Sequence, residues 1–208
     1  MHPSLMTSDM KIGIDPADYI PFLNRLKSLF AAMDQKYREA ADYYGFQCSG
    51  CEDNCCFTRF HHYTLLEYLY IMQGYRLLDR RKQVEVQRRA FDVCRETERA
   101  DKNGDAVRLM CPVNVSGLCL LYAYRPMICR LHGISHEFIS PGGFVSKASG
   151  CGAFTRTCHA KKYYKFDRTP FYAEMAALEK KLRFATGRIQ KIKMTVAEMI
   201  TSFEKERV

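Results

Sequence analysis

The stretch DPADYIPFLNRLKSLFAAMDQKYREAADYYG, Asp15 to Gly45, reads as one long amphipathic helix. Asp15 is a residue type that caps helix N-termini, and Pro16 suits the first helical position, where its missing N–H is no loss. Tyr19, Leu23, Leu26, Phe30, Met33, Tyr37, Ala40 and Tyr44 then recur at steps of four and three, which places them on one face. Gly45 follows, where a left-handed terminating residue is commonly needed.

Working outward, a second stripe runs through Phe171, Met175, Leu178, Leu182, Ala185, Ile189, Ile192, Val196, Met199 and Phe203. Its heptad-like spacing predicts helices that pack on the first one, divided at Gly187 or at Thr195-Val196; pairing in a dimer is the other use of such a stripe. Between the two stripes, Thr64 with Glu67 forms a capping-box signature ahead of Leu65, Leu66, Leu69 and Met72, and Gly74 weakens the end of that helix. A more exposed helix is expected from about Asp79 to Lys102, ended by Asn103-Gly104-Asp105. Residues 106 to 150 hold short apolar runs broken by Pro112, Ser116-Gly117, Pro126 and Pro141-Gly142-Gly143, as expected of irregular chain with a few short strands. The expectation is a mainly α single domain over 1–208: a helical bundle with an irregular cysteine-rich region. Residues 1–45 supply the long first helix, 46–160 the cysteine-bearing core, and 161–208 basic helices packing on the first helix.

With 208 residues, 47% of them apolar, the chain is long enough to bury a core unaided. Met1 to Lys11 shows no basic-then-apolar leader, and no run reaches the roughly eighteen apolar residues of a membrane span, so a soluble cytoplasmic protein without membrane contact is expected. Nearly all of the net charge of +9 falls between Arg156 and Lys193, where eleven Lys and Arg face Asp167, Glu174 and Glu179. A solvated helix face is the plain reading; a nucleic acid or an acidic protein partner is the other. No dinucleotide glycine motif, phosphate loop or Gly-x-Ser-x-Gly elbow is present.

Ten cysteines in a reducing compartment call for a role other than disulfides. Cys48-Ser49-Gly50-Cys51 is a chelating pair with small intervening residues, and Cys55 and Cys56 follow at once. Adjacent side chains diverge, so either one of Cys55 and Cys56 is a ligand and the other supports it, or the centre is polynuclear. Cys111-Pro112, Gly117-Leu118-Cys119 and Arg125-Pro126-Met127-Ile128-Cys129-Arg130 follow in Pro- and Gly-broken chain. Four thiolates on zinc or on a cubane leave about −2 charge, which Arg125 and Arg130 are placed to offset. Cys151 and Cys158, with Gly150 and Gly152 nearby, are further candidates. Cys94 reads as a small buried apolar residue, and His61, His62, His132 and His136 as structural or surface histidines.

These two motifs resemble the YkgJ-like cysteine-cluster family, a zinc- or iron-chelating domain whose signature is a Cys-x-x-Cys-x-x-Cys-Cys run. The later motif is met by Cys111-Pro112, Gly117-x-Cys119, Tyr122, Arg125-Pro126 and Cys129-Arg130. The first run here carries one extra residue within Glu52-Asp53-Asn54, and Leu131-His132-Gly133 stands where an aromatic-proline is usual. The resemblance, over about 48 to 132, implies a small α-rich domain with an iron–sulfur or zinc centre, and a related domain is attributed to flagellin lysine methylases. The expected metal ligands are therefore Cys48, Cys51, Cys55, Cys56, Cys111, Cys119 and Cys129, on an iron–sulfur cluster such as 4Fe–4S or on zinc. A redox or protein-modification role is one expectation, and a structural zinc module whose basic end binds a partner is the alternative.

Overall fold

A computed structural model describes residues 14–48 and 55–205 of the chain. Among them are helices α1 (Pro16–Tyr44), α2 (Leu65–Arg76), α3 (Arg80–Asn103), α4 (Met127–Leu131), α5 (Gly152–Cys158), α6 (Thr169–Thr186) and α7 (Val196–Lys205). Two antiparallel ribbons interrupt them: β1 (Asn114–Val115) with β2 (Leu118–Cys119), and β3 (His136–Ile139) with β4 (Val145–Ala148). The protein is mainly α with a few short strands.

The local chemistry of α1 follows its sequence signals. Asp15 Oδ1 accepts from Ala17 N at 2.8 Å, and Gly45 closes the helix at φ 58°, a left-handed conformation that costs glycine little. Leu26, Phe30 and Met33 on the inner stripe are almost fully buried, each contributing roughly 1.5–3 kcal/mol of gross transfer energy. They face α2, α4 and α6.

Helix α2 is the centre of the fold, with ten of its twelve residues buried. Its exposed amides at the N-terminus are met twice. Thr64 Oγ1 accepts from Glu67 N at 3.1 Å, and the Glu179 carboxylate of α6 accepts from Leu65 N and Leu66 N at 2.8 and 3.1 Å. A carboxylate there is favoured by both the orphan N–H groups and the helix dipole. Arg183 Nε in turn holds Glu179 Oε1 at 2.5 Å.

The C-terminal stripe does not continue along a single partner. Helix α6 lies on α1, but Gly187, at φ 65°, ends it, and Ile189 is 90% exposed. The chain then bridges to His62 through His62 N to Met194 O at 2.8 Å and Met194 N to His62 O at 3.0 Å. Helix α7 consequently packs on α3 rather than on α1, with the Phe203 ring edge-on to Tyr75. No helix among the described residues is long and apolar enough to cross a membrane.

Candidate metal centre

Three segments that are distant in sequence bring their cysteines to one cleft of about 2020 Å³. Cys55 and Cys56 open the short 3₁₀ turn Cys55–Phe57. Cys56 O accepts from Cys111 N at 2.8 Å, which ties the first cysteine segment to the second. Cys119 is placed by the β1–β2 hairpin. Ser116 and Gly117, at φ 50° and 84°, form a two-residue turn of the kind that matches strand twist, and the resulting register sets Cys119 opposite Asn114.

Cys129 sits on α4, a single-turn helix anchored from three sides. Met127 N donates to Glu67 Oε1 of α2 at 3.1 Å. Arg130 donates to Asp34 Oδ2 of α1 at 2.6 Å and to the carbonyls of Arg125 and Ala123, with its guanidinium over Phe30. Leu131 O accepts from the buried Arg168.

The thiols influence one another's ionisation. Burial pushes Cys111 up to about 12, with Cys56 and Cys119 adding to the rise. Burial likewise raises Cys119, and it carries Cys129 well above the ordinary thiol value, with Cys111, Cys119 and Cys56 reinforcing it. Cys56 moves the other way: Cys55 donates a hydrogen bond to it, and Asn114 and the Arg125 charge also favour its thiolate. Cys55 is raised as the donor of that shared proton. Cys56 is thus the thiol of the set that ionises first, and Cys111, Cys119 and Cys129 need a nearby cation to ionise at neutral pH.

The other candidate cysteines are placed differently from Cys56, Cys111, Cys119 and Cys129. Cys48 lines the cleft and acts on Cys55 as well as on Tyr37, whose phenol is raised by burial, then by Cys48 and Cys151. Cys151 caps α5, its sulfur accepting from Phe154 N at 3.4 Å, and it approaches Tyr37 beside Gly133. Cys158 is buried against Tyr44 O and does not line the cleft. Cys94 is half-buried on the cleft wall, 3.6 Å from Thr201 Oγ1. Cys51 lies outside the described residues. Among those residues, no three His, Cys, Asp or Glu side chains stand close enough together to hold a metal ion as they are.

The charge pattern corrects one expectation. Arg125 does act on Cys56 and Cys119, but Arg130 is taken up by Asp34 and two carbonyls. The second cation at the thiols is Arg89 of α3, which acts on Cys111 and holds Asn114 O at 2.7 Å. Nothing near Arg89 in the sequence marks it. Glu67, read as a capping residue, is also buried beside Cys129, another role without a local signal.

The donor set fits a thiophilic centre in its chemistry: several thiols, partly buried, with arginines rather than carboxylates beside Cys56, Cys111 and Cys119. No protein-family model matches the chain, and neither do any curated proteins or solved structures.

Proposed function

We propose that the chain is a metal-binding protein whose centre, an iron–sulfur cluster or zinc, is held by Cys56, Cys111, Cys119 and Cys129. The observation that carries this reading is the gathering of Cys56, Cys111, Cys119 and Cys129, from three separate segments, along one cleft, where the half-buried Cys111, Cys119 and Cys129 are kept protonated partly by their neighbours. A cation reverses that balance, since thiolate ligation releases the protons. Of the adjacent pair, Cys56 is the ligand and Cys55 its hydrogen-bonding support. Cys48, on the Tyr37 side, stands as a further ligand, with Cys51 of the same motif as a sequence candidate, and thiols in this number suit a reducing compartment such as the cytoplasm.

When bound, an iron–sulfur cluster supplies electron transfer and zinc supplies Lewis acidity or structural cross-linking. The chain's own contribution is to hold the thiols on separately anchored segments and to set Arg89 and Arg125 against their charge. The basic segment carries no second reading, because part of its charge is engaged internally. Lys161 reaches Tyr44 O at 2.6 Å, Arg183 holds Glu179, and Arg168 is buried.

Anaerobic purification with iron, zinc and acid-labile sulfide analysis tests the proposal. Metal bound in the wild-type chain, reduced by Cys129→Ser and by Cys56→Ser but kept by Cys94→Ser, is the expected result. Unchanged metal content in both ligand variants refutes it.

A further inference from the structure

Phe184 and Ile189 are the two most exposed large apolar residues among those described, at 92% and 90%. Both are fixed in that state. Phe184 stands in the last turn of α6, and Gly187 turns the chain back so that Arg188 N donates to Arg183 O at 3.2 Å. Arg183 Nη1 then donates to the carbonyls on either side of Ile189, Arg188 O and Gln190 O, while Ile192 beyond them is buried. Ile189 is therefore pinned beside the end of α6 with its side chain in solvent. Single exposed apolar residues are ordinary, but two held outward at one helix end, rimmed by polar groups, mark an interaction surface.

The charge around the pair has one sign. Residues 180–193 hold six Lys and Arg and no Asp or Glu. Arg183 is taken up by Glu179 and the two carbonyls, whereas Lys180, Lys181 and Lys191 are exposed and make no ion pair among the described residues. Apolar tips among lysines match the chemistry of a membrane–water interface. The apolar bodies enter the boundary between headgroups and acyl chains, and the lysine stems extend to anionic headgroups. A nucleic acid would engage the lysines but not Ile189, which has no face to stack on bases and no donor for their edges.

We infer that the end of α6 and the turn after it dock the protein on an anionic lipid surface, with Phe184 and Ile189 entering the bilayer interface and Lys180, Lys181 and Lys191 meeting the headgroups. The sequence expectation of no membrane contact turned on spanning segments; docking of this kind lies on the bilayer and needs none. It does not draw on the cysteine centre.

The full chain is sedimented with vesicles of phosphatidylcholine alone and of phosphatidylcholine mixed with phosphatidylserine. The wild type is compared with Phe184→Ser/Ile189→Ser, with Lys180→Gln/Lys181→Gln and with Phe144→Ser, a control at the exposed β3–β4 turn. Wild type and Phe144→Ser should prefer the mixed vesicles and bind them more weakly as salt rises, and each double variant should lose about tenfold or more in affinity. A wild-type chain that ignores the mixed vesicles overturns the inference. So does binding that Phe184→Ser/Ile189→Ser leaves unchanged, because charge alone would then account for it, and so does an equal loss in Phe144→Ser. Binding to an RNA or DNA duplex in place of vesicles, unaffected by Phe184→Ser/Ile189→Ser, overturns it in favour of a nucleic acid. The chain has no tryptophan, so Phe184→Trp gives a reading that does not depend on how the serine variant folds. Its emission should shift to the blue with mixed vesicles, and an unshifted spectrum overturns the inference.

Discussion

Gly74→Ala should destabilise the protein although it places a better helix former in a helix. Gly74 lies in α2 facing the 3₁₀ turn Tyr122–Tyr124, and a Cβ there would fall 2.4, 2.5 and 2.8 Å from Tyr124 Cγ, Cδ2 and Cβ. These are the root atoms of the side chain, so rotation about χ angles cannot carry all of them away. Tyr124 is also confined by the Tyr70 ring, 5.0 Å between centroids, and by its own N–H to Leu121 O. Helix propensity returns about 1 kcal/mol, whereas overpacking a confined position costs about 3 kcal/mol at the upper end of its common range. The net loss is about 2 kcal/mol, a fall in melting temperature of about 4–8 °C for a chain of this length. Urea unfolding followed by circular dichroism measures it. Tyr124→Ala in the same chain should recover much of the specific loss, because the two residues are in contact and do not add independently. The variant should also disturb the cysteines, since Tyr124 precedes Arg125, which stacks on Tyr122 at 3.6 Å and favours the Cys56 thiolate. A Gly74→Ala protein as stable as wild type would refute the steric argument.

Two further outcomes follow from the electrostatics. Burial alone would raise the Glu67 carboxyl, but His62, Thr64 and the Met127 amide together hold it below its ordinary value of 4.5. A depressed carboxyl stabilises the fold above its ordinary pKa and ceases to do so as pH falls through the folded value. Glu67→Gln should therefore be less stable than wild type at neutral pH, with a gap that narrows in acid; urea titrations at stepped pH that show a constant gap would count against this. In metal-free protein at neutral pH, a small alkylating reagent should modify Cys56 ahead of Cys111 and Cys129, since only the thiolate reacts and Cys56 ionises first. Peptide mass spectrometry that finds Cys111 or Cys129 modified first would contradict the assigned order.

Elements whose signals are local were legible in the sequence, and those set by tertiary contact were not. Asp15, Pro16 and Gly45 mark the limits of α1 because capping and left-handed termination depend on adjacent residues alone. Thr64 marks the start of α2 for the same reason, yet Gly74 reads there as a weak point when its role is to let Tyr124 approach. The run Ile128 to Ile134 suggests short strand-like chain, but Met127–Leu131 is helical because Glu67, Asp34 and Arg168 hold it from other elements. The C-terminal periodicity specifies an apolar face without naming its partner, so the move of α7 from α1 to α3 leaves no trace in the pattern. Of the motif cysteines among the described residues, Cys48, Cys55, Cys56, Cys111, Cys119 and Cys129 line one cleft. Proximity in sequence misdirects where it stands in for proximity in space, as with Arg130 in place of Arg89.

The anchoring of α4 bears on what a metal does to this fold. A helix of five residues has no stability of its own, since isolated helices shorter than about 12–15 residues are marginal in water. Its position comes from charged groups on α1 and α2 and from Arg168 at the start of α6, all of which act without a metal. In a zinc finger the metal substitutes for a missing core, and removal unfolds the chain. Here the core of α1, α2 and α6 is complete among the described residues, so a metal at the proposed centre would add to the folded state by simple linkage. At free metal about 100 times the dissociation constant that addition is about 2.7 kcal/mol. Chelation should then lower the melting temperature by about 5–10 °C while leaving the helical circular dichroism at 25 °C intact. Collapse of the helical signal on chelation would mean that the thiols and their ligand, not Asp34, Glu67 and Arg168, fix the position of α4.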